Sequence, residues 1–141
     1  MKTHGGLKTI GQQGFLACKS LAEIDIRSVE ILDSYALAES GLTEADCEKL
    51  VVLKDNVFEG CEELKRITLP SVKQIDGCAF ENTDLTELEL PNVDKIGSNS
   101  FVENHSLRRI AIPLKADLFD SQLEDDVKVM PSMMPLIAVI V

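Results

Sequence analysis

At 141 residues, with 45% apolar and 27% charged side chains, the chain fits one globular domain and has enough apolar material to bury a core, which excludes a disordered polymer. A formal charge of −10 argues against direct binding to DNA or RNA, whose binders displace counterions with clustered Lys and Arg. The longest unbroken apolar run, Leu136 to Val141, falls far short of the roughly 18 residues of a membrane-crossing helix, so no span is expected.

The opening residues, Met1 to Gly6, lead into no apolar stretch, so no cleavable export signal is read there. The expectation is a cytoplasmic chain as it stands, or a surface or secreted one if it is part of something longer. From Leu7 onward one phrase recurs. Leu21, Leu42, Leu64, Leu85 and Leu107 follow one another at 21 or 22 residues, and each opens an L-x-x-I-x-I pattern. The inward positions are Leu21/Ile24/Ile26, Leu42/Ala45/Cys47, Leu64/Ile67/Leu69, Leu85/Leu88/Leu90 and Leu107/Ile110/Ile112, the last three positions alternating as a strand does.

A second anchor precedes each leucine, at Phe15, Ala36, Phe58, Phe80 and Phe101, and a third precedes that, at Ile10, Ile31, Leu53, Ile75 and Ile96. Turn signals at Pro70-Ser71-Val72 and Pro91-Asn92-Val93 end the strands, because proline fixes φ and removes a ladder donor. A single turn cannot hide its own apolar side, so burial has to come from stacking, and aromatics are too few for one large centre. Five turns are expected over residues 1–114. The second repeat is the weakest, with Ala36 in the phenylalanine column and Ala45 and Cys47 in the strand; Tyr35 either rotates in to replace the missing ring or stays in solvent.

The phrases Ile96-Gly97-Ser98-Asn99-Ser100-Phe101, Ile75-Asp76-Gly77-Cys78-Ala79-Phe80 and Ile10-Gly11-Gln12-Gln13-Gly14-Phe15, each followed by L-x-x-I-x-I, resemble the BspA-like family of leucine-rich repeats over about residues 7–114. Gly11 and Gly97 are replaced by Leu32 and Lys54 elsewhere. The resemblance implies a β-rich leucine-rich-repeat solenoid of the α/β class: a right-handed coil with a parallel sheet on one face and turns or short helical turns on the other. It also implies adhesion or protein binding, commonly at a cell surface.

Catalytic patterns are weak. Cys18 and Cys61 share a column two turns apart, so they should lie about 10 Å from each other, beyond disulfide reach. Without a C-x-x-C pair, and with only His4 and His105, zinc binding is not expected; four reduced structural thiols are. His105 beside Glu103 and Ser106 reads as a solvated loop histidine, and Gly97-Ser98-Asn99-Ser100 lacks the lysine and helix of a phosphate loop. No enzyme activity and no cofactor are assigned.

Residues between the inward strand positions must face outward. One such column is Glu23, Glu44, Arg66, Glu87, Arg109, and the next is Asp25, Asp46, Thr68, Glu89, Ala111, with Glu48 beside Asp46. The first two repeats show only acids there, which repel one another and would gain from a cationic partner. Arg27, Arg66 and Arg109 would set register. Acids that merely keep a sheet face soluble are the plainer reading. After Pro113 the register is lost, and Ala116 to Asp126 suggests a short helix over the last coil, opening a cap or tail over residues 115–141. The β-prone ending, Val127-Lys128-Val129-Met130 and then Met133 to Val141, suits a final strand covering the solenoid end, pairing between subunits into a homo-oligomer, or an edge inside a longer protein.

The expected function is thus a protein-interaction module whose acidic sheet face takes a basic partner surface. Alternatives are a small acidic inhibitor, phage-like, that blocks a nucleic-acid-binding enzyme, or a structural piece of a longer surface adhesion protein.

Overall fold

The computed structural model describes residues 6–118 and 121–132. They form six stacked coils rather than five. On one face lie the two-residue strands β1 (Thr9–Ile10), β2 (Ile31–Leu32), β4 (Val52–Leu53), β6 (Gln74–Ile75) and β8 (Lys95–Ile96). On the other lie β3 (Glu44–Asp46), β5 (Arg66–Thr68), β7 (Glu87–Glu89), β9 (Arg109–Ile112) and β10 (Lys128–Pro131), hereafter the open sheet face. Every ladder is parallel: β1 with β2, β4–β6–β8, β3 with β5, and β7–β9–β10.

The third side of each coil is a bend. Alternate backbone N–H groups donate along the stack, as Gln13, Phe15 and Ala17 do to the carbonyls of Ser34, Ala36 and Ala38. The groups between them, Gly14, Leu16 and Cys18, donate back into their own coil. In the first five coils this bend uses left-handed backbone twice, at Gln13, Tyr35, Asn56, Cys78 and Asn99 (φ 56° to 59°), and again at Ala17, Glu39, Gly60, Asn82 and Glu103 (φ 53° to 69°). Only Gly60 takes that conformation without the steric cost of a Cβ; asparagine, at three of these positions, tolerates it better than most.

Between the bends lies a continuous core of Leu, Ile, Val and Phe. Phe58, Phe80 and Phe101 stack face to face, with centroids 5.9 and 6.0 Å apart and planes within 7° of parallel. A buried polar column runs beside them. Cys61 Sγ donates to the Leu37 carbonyl at 3.1 Å, Thr83 Oγ1 to Asn104 Oδ1 at 2.6 Å, and Asn104 Nδ2 to the Phe80 carbonyl at 2.7 Å. Cys61 and Asn104 satisfy backbone carbonyls of the bend, and Thr83 in turn satisfies the Asn104 side chain. All four cysteines are free thiols.

Three expectations are corrected. First, the third anchor of the second coil is Leu32, fully buried and in register with Ile10, while Ile31 is 46% exposed. Second, the phenylalanine column passes through Leu37, not Ala36. The Phe15 N–H donates to the Ala36 carbonyl and the Leu37 N–H to that of Val57, the relation that also carries Phe58 to Phe80. Leu37 is fully buried and takes the ring's place, so Tyr35 does not. The first shift is the one-residue slip that turns a strand's inward side chain out, whereas Ala36 stays fully buried beside the column.

Third, the coil does not end at Pro113. Asp117 bridges Lys95, and β10 pairs β9 residue for residue from Lys128↔Arg109 to Pro131↔Ile112. No helix occurs among the described residues, either over 116–126 or in the bends. Ala116, Leu118, Leu123 and Val127 pack on the core without one. The apolar ending from Met133 lies outside the described residues, as does its proposed role in pairing subunits.

Candidate functional site

The open sheet face carries the two outward columns in the expected order. Glu44 lies opposite Arg66, Asp46 opposite Thr68, Glu87 opposite Arg109 and Glu89 opposite Ala111. Parallel pairing puts equivalent residues of successive coils side by side, and each guanidinium turns toward the acids of the coil before it. Arg66 Nη2 donates to Glu44 Oε2 at 2.8 Å, and Arg109 Nη2 reaches Glu87 at 2.9 Å and Glu89 at 3.3 Å. Arg27 instead pairs within its own coil, with Asp25 at 2.9 Å. Its pKa is raised first by that hydrogen bond, with Glu48 and Asp46 adding to it. Thr68 Oγ1 donates to Asp46 Oδ1 at 2.8 Å.

The first two coils therefore do present acids, but not bare ones. Carboxylates still outnumber guanidiniums across the face, and the pairs are solvent-exposed, so each contributes little and is open to competition from other cations. Glu23, Asp25, Arg27, Glu44 and Asp46 line a shallow depression of about 250 Å³ floored by Ile24, Ile26 and Ala45. Asp25, Arg27 and Glu48 continue into a neighbouring hollow with Ser28 and Lys49.

Cys47 and Cys61 are buried packing residues, and Cys18 and Cys78 are half-buried. Burial raises the pKa of Cys47 and Cys61, and burial together with a hydrogen bond to Glu81 lifts Cys78 to about 11. His105 is exposed, yet it does more than a solvated loop residue. Nδ1 lies 2.7 Å from Glu124 and Nε2 3.3 Å from Glu103, joining the fifth coil to the sixth. The hydrogen bond with Glu124 is the main cause of its raised pKa. Glu103 was legible as its neighbour; Glu124 lay in a segment whose register the sequence did not reveal. Among the described residues no group of three His, Cys, Asp or Glu side chains is placed to hold a metal ion, and no helix is long and apolar enough to cross a membrane.

Parallel coils of one strand phrase, stacked through equivalent aliphatic columns, define a leucine-rich-repeat solenoid. The model of the BspA type leucine rich repeat region matches residues 1–108 in six copies, and the chain belongs to that family. Among solved structures it is similar to a leucine rich cell surface protein from Faecalibacterium prausnitzii A2-165, with 32% identity and a TM-score of 0.70 over 78% of this chain and 30% of that one. A leucine-rich repeat protein from Bacteroides ovatus ATCC 8483 matches 91% of this chain and 52% of its own at 20% identity and a TM-score of 0.44. The chain thus spans less than two thirds of either. No curated protein matches it.

Proposed function

We propose that this chain is a protein-binding stretch of a surface leucine-rich-repeat protein, and that its open sheet face receives a basic surface on the partner. The acid excess at the first two coils carries the reading: Glu23, Asp25, Glu44, Asp46 and Glu48 stand together around two hollows, against the cations of Arg27 on Asp25, Arg66 on Glu44 and Lys49 in the second hollow. Arg27, Arg66 and Arg109 set register by repelling misaligned cations. The likeness to a cell surface protein more than twice as long supports the surface setting.

The test uses the double variant Glu44→Lys/Asp46→Lys and an immobilised lysine-rich heptapeptide, with a glutamate-rich one as control. At low salt the variant should bind the lysine peptide about tenfold more weakly, and the difference should shrink at high salt. Equal affinity of variant and parent would remove the reading.

A further inference from the structure

The open sheet face is not continuous. β3 pairs β5 and β7 pairs β9, but no ladder joins β5 to β7. The two coils concerned stay joined elsewhere: β4 pairs β6 on the opposite face, and Asn56, Phe58 and Gly60 donate along the bend to Gly77, Ala79 and Glu81. Asn92 Nδ2 clamps the Pro70 carbonyl at 2.6 Å. The opening is therefore confined to one face. Among the first five coils, sheet-face ladders form where successive repeat leucines are 22 apart, Leu42 to Leu64 and Leu85 to Leu107, and are missing where they are 21 apart, Leu64 to Leu85 included.

This seam holds a depression of about 390 Å³, walled by Ile67, Leu69, Pro70 and Pro91, with Arg66, Thr68, Glu87 and Glu89 at its rim. No ion pair crosses it among the described residues. Arg66 leans away to Glu44, and Glu87 and Glu89 share the single guanidinium of Arg109, leaving that side of the rim net negative. An apolar hollow with an acidic lip, on the same face as the acids of coils one and two, selects a particular occupant. An acidic segment would be repelled, and a purely basic one would leave the hollow wet.

We propose that the β5/β7 seam seats one leucine- or phenylalanine-sized side chain of an extended partner segment whose flanking residues are Lys or Arg. It deepens the reading of the open sheet face and rests on it. The flanking cations compete with Arg109 for Glu87 and Glu89, while the anchor covers Ile67 and the two prolines.

The experiment titrates the full isotope-labelled chain with three heptapeptides: one with a central leucine flanked by lysines, the same with serine for leucine, and the same with glutamate for lysine. The leucine–lysine peptide should shift backbone resonances at 66–70 and 87–91 and bind about tenfold more tightly than the serine version. Thr68→Trp, which fills the hollow, should collapse that ratio toward one, and Glu87→Lys/Glu89→Lys, on exposed side chains, should weaken the leucine–lysine peptide. Equal affinity of the leucine and serine peptides, with shifts confined to residues 23–48, overturns the seam and leaves the acidic-face reading standing. Absence of shifts anywhere on the face with either lysine peptide overturns both.

Discussion

Replacing Phe80 with alanine should remove more stability than any other single truncation in the ring column. Phe80 is fully buried and is the middle ring of the stack, 5.9 Å from Phe58 and 6.0 Å from Phe101, so its loss abolishes both ring pairs and opens a cavity between coils. A buried Phe→Ala change costs about 3–5 kcal/mol, and because two ring pairs are lost with it the upper part of that range, about 4–5 kcal/mol, is expected. Phe80→Leu should cost much less, about 1–2 kcal/mol, because the second coil already fills this position with Leu37. Urea unfolding followed by far-ultraviolet circular dichroism reads both variants. A loss under about 1 kcal/mol for Phe80→Ala would refute the shared column and with it the layered account of the core.

Leu32→Ala should cost about 2–5 kcal/mol and Ile31→Ala well under 1.5, by the same unfolding measurement; comparable losses would contradict the register of the second coil. Ala17→Gly, at an exposed residue with φ 60°, should raise stability by about 0.5 kcal/mol, since relief of the left-handed strain exceeds the added freedom of the unfolded chain; a lowered urea midpoint would count against it. His105 has its pKa raised in the fold by Glu124 and Glu103, so its contribution is fully present below the unfolded value of about 6.5 and is lost as pH rises through the folded one. The stability difference between the parent and His105→Gln should therefore be larger at acidic than at alkaline pH, and a pH-independent difference would show that the link between coils five and six carries no charge.

The sequence alone determined the repeat, the strand phrase and the outward columns. Apolar residues at a fixed interval can be buried only by stacking, and alternation within a strand assigns each residue a side. Pairs such as Glu44–Arg66 and Glu87–Arg109 are also implicit in that interval, because residues 22 apart become neighbours in a parallel ladder. Tertiary structure decided what the pattern left degenerate. Ile31 and Leu32, like Ala36 and Leu37, are adjacent apolar residues, and only the hydrogen bonds to the neighbouring coils choose which one occupies the shared column. A covering strand near Val127 to Met130 was legible from its β-prone residues, but its register was not, because 109 and 128 are 19 residues apart rather than 21 or 22; β10 nonetheless pairs the open edge of β9 and satisfies its backbone groups. The seam between β5 and β7 likewise depends on whether two neighbouring coils pair on one face while bonded on the others, a property of the assembled stack that no single repeat contains.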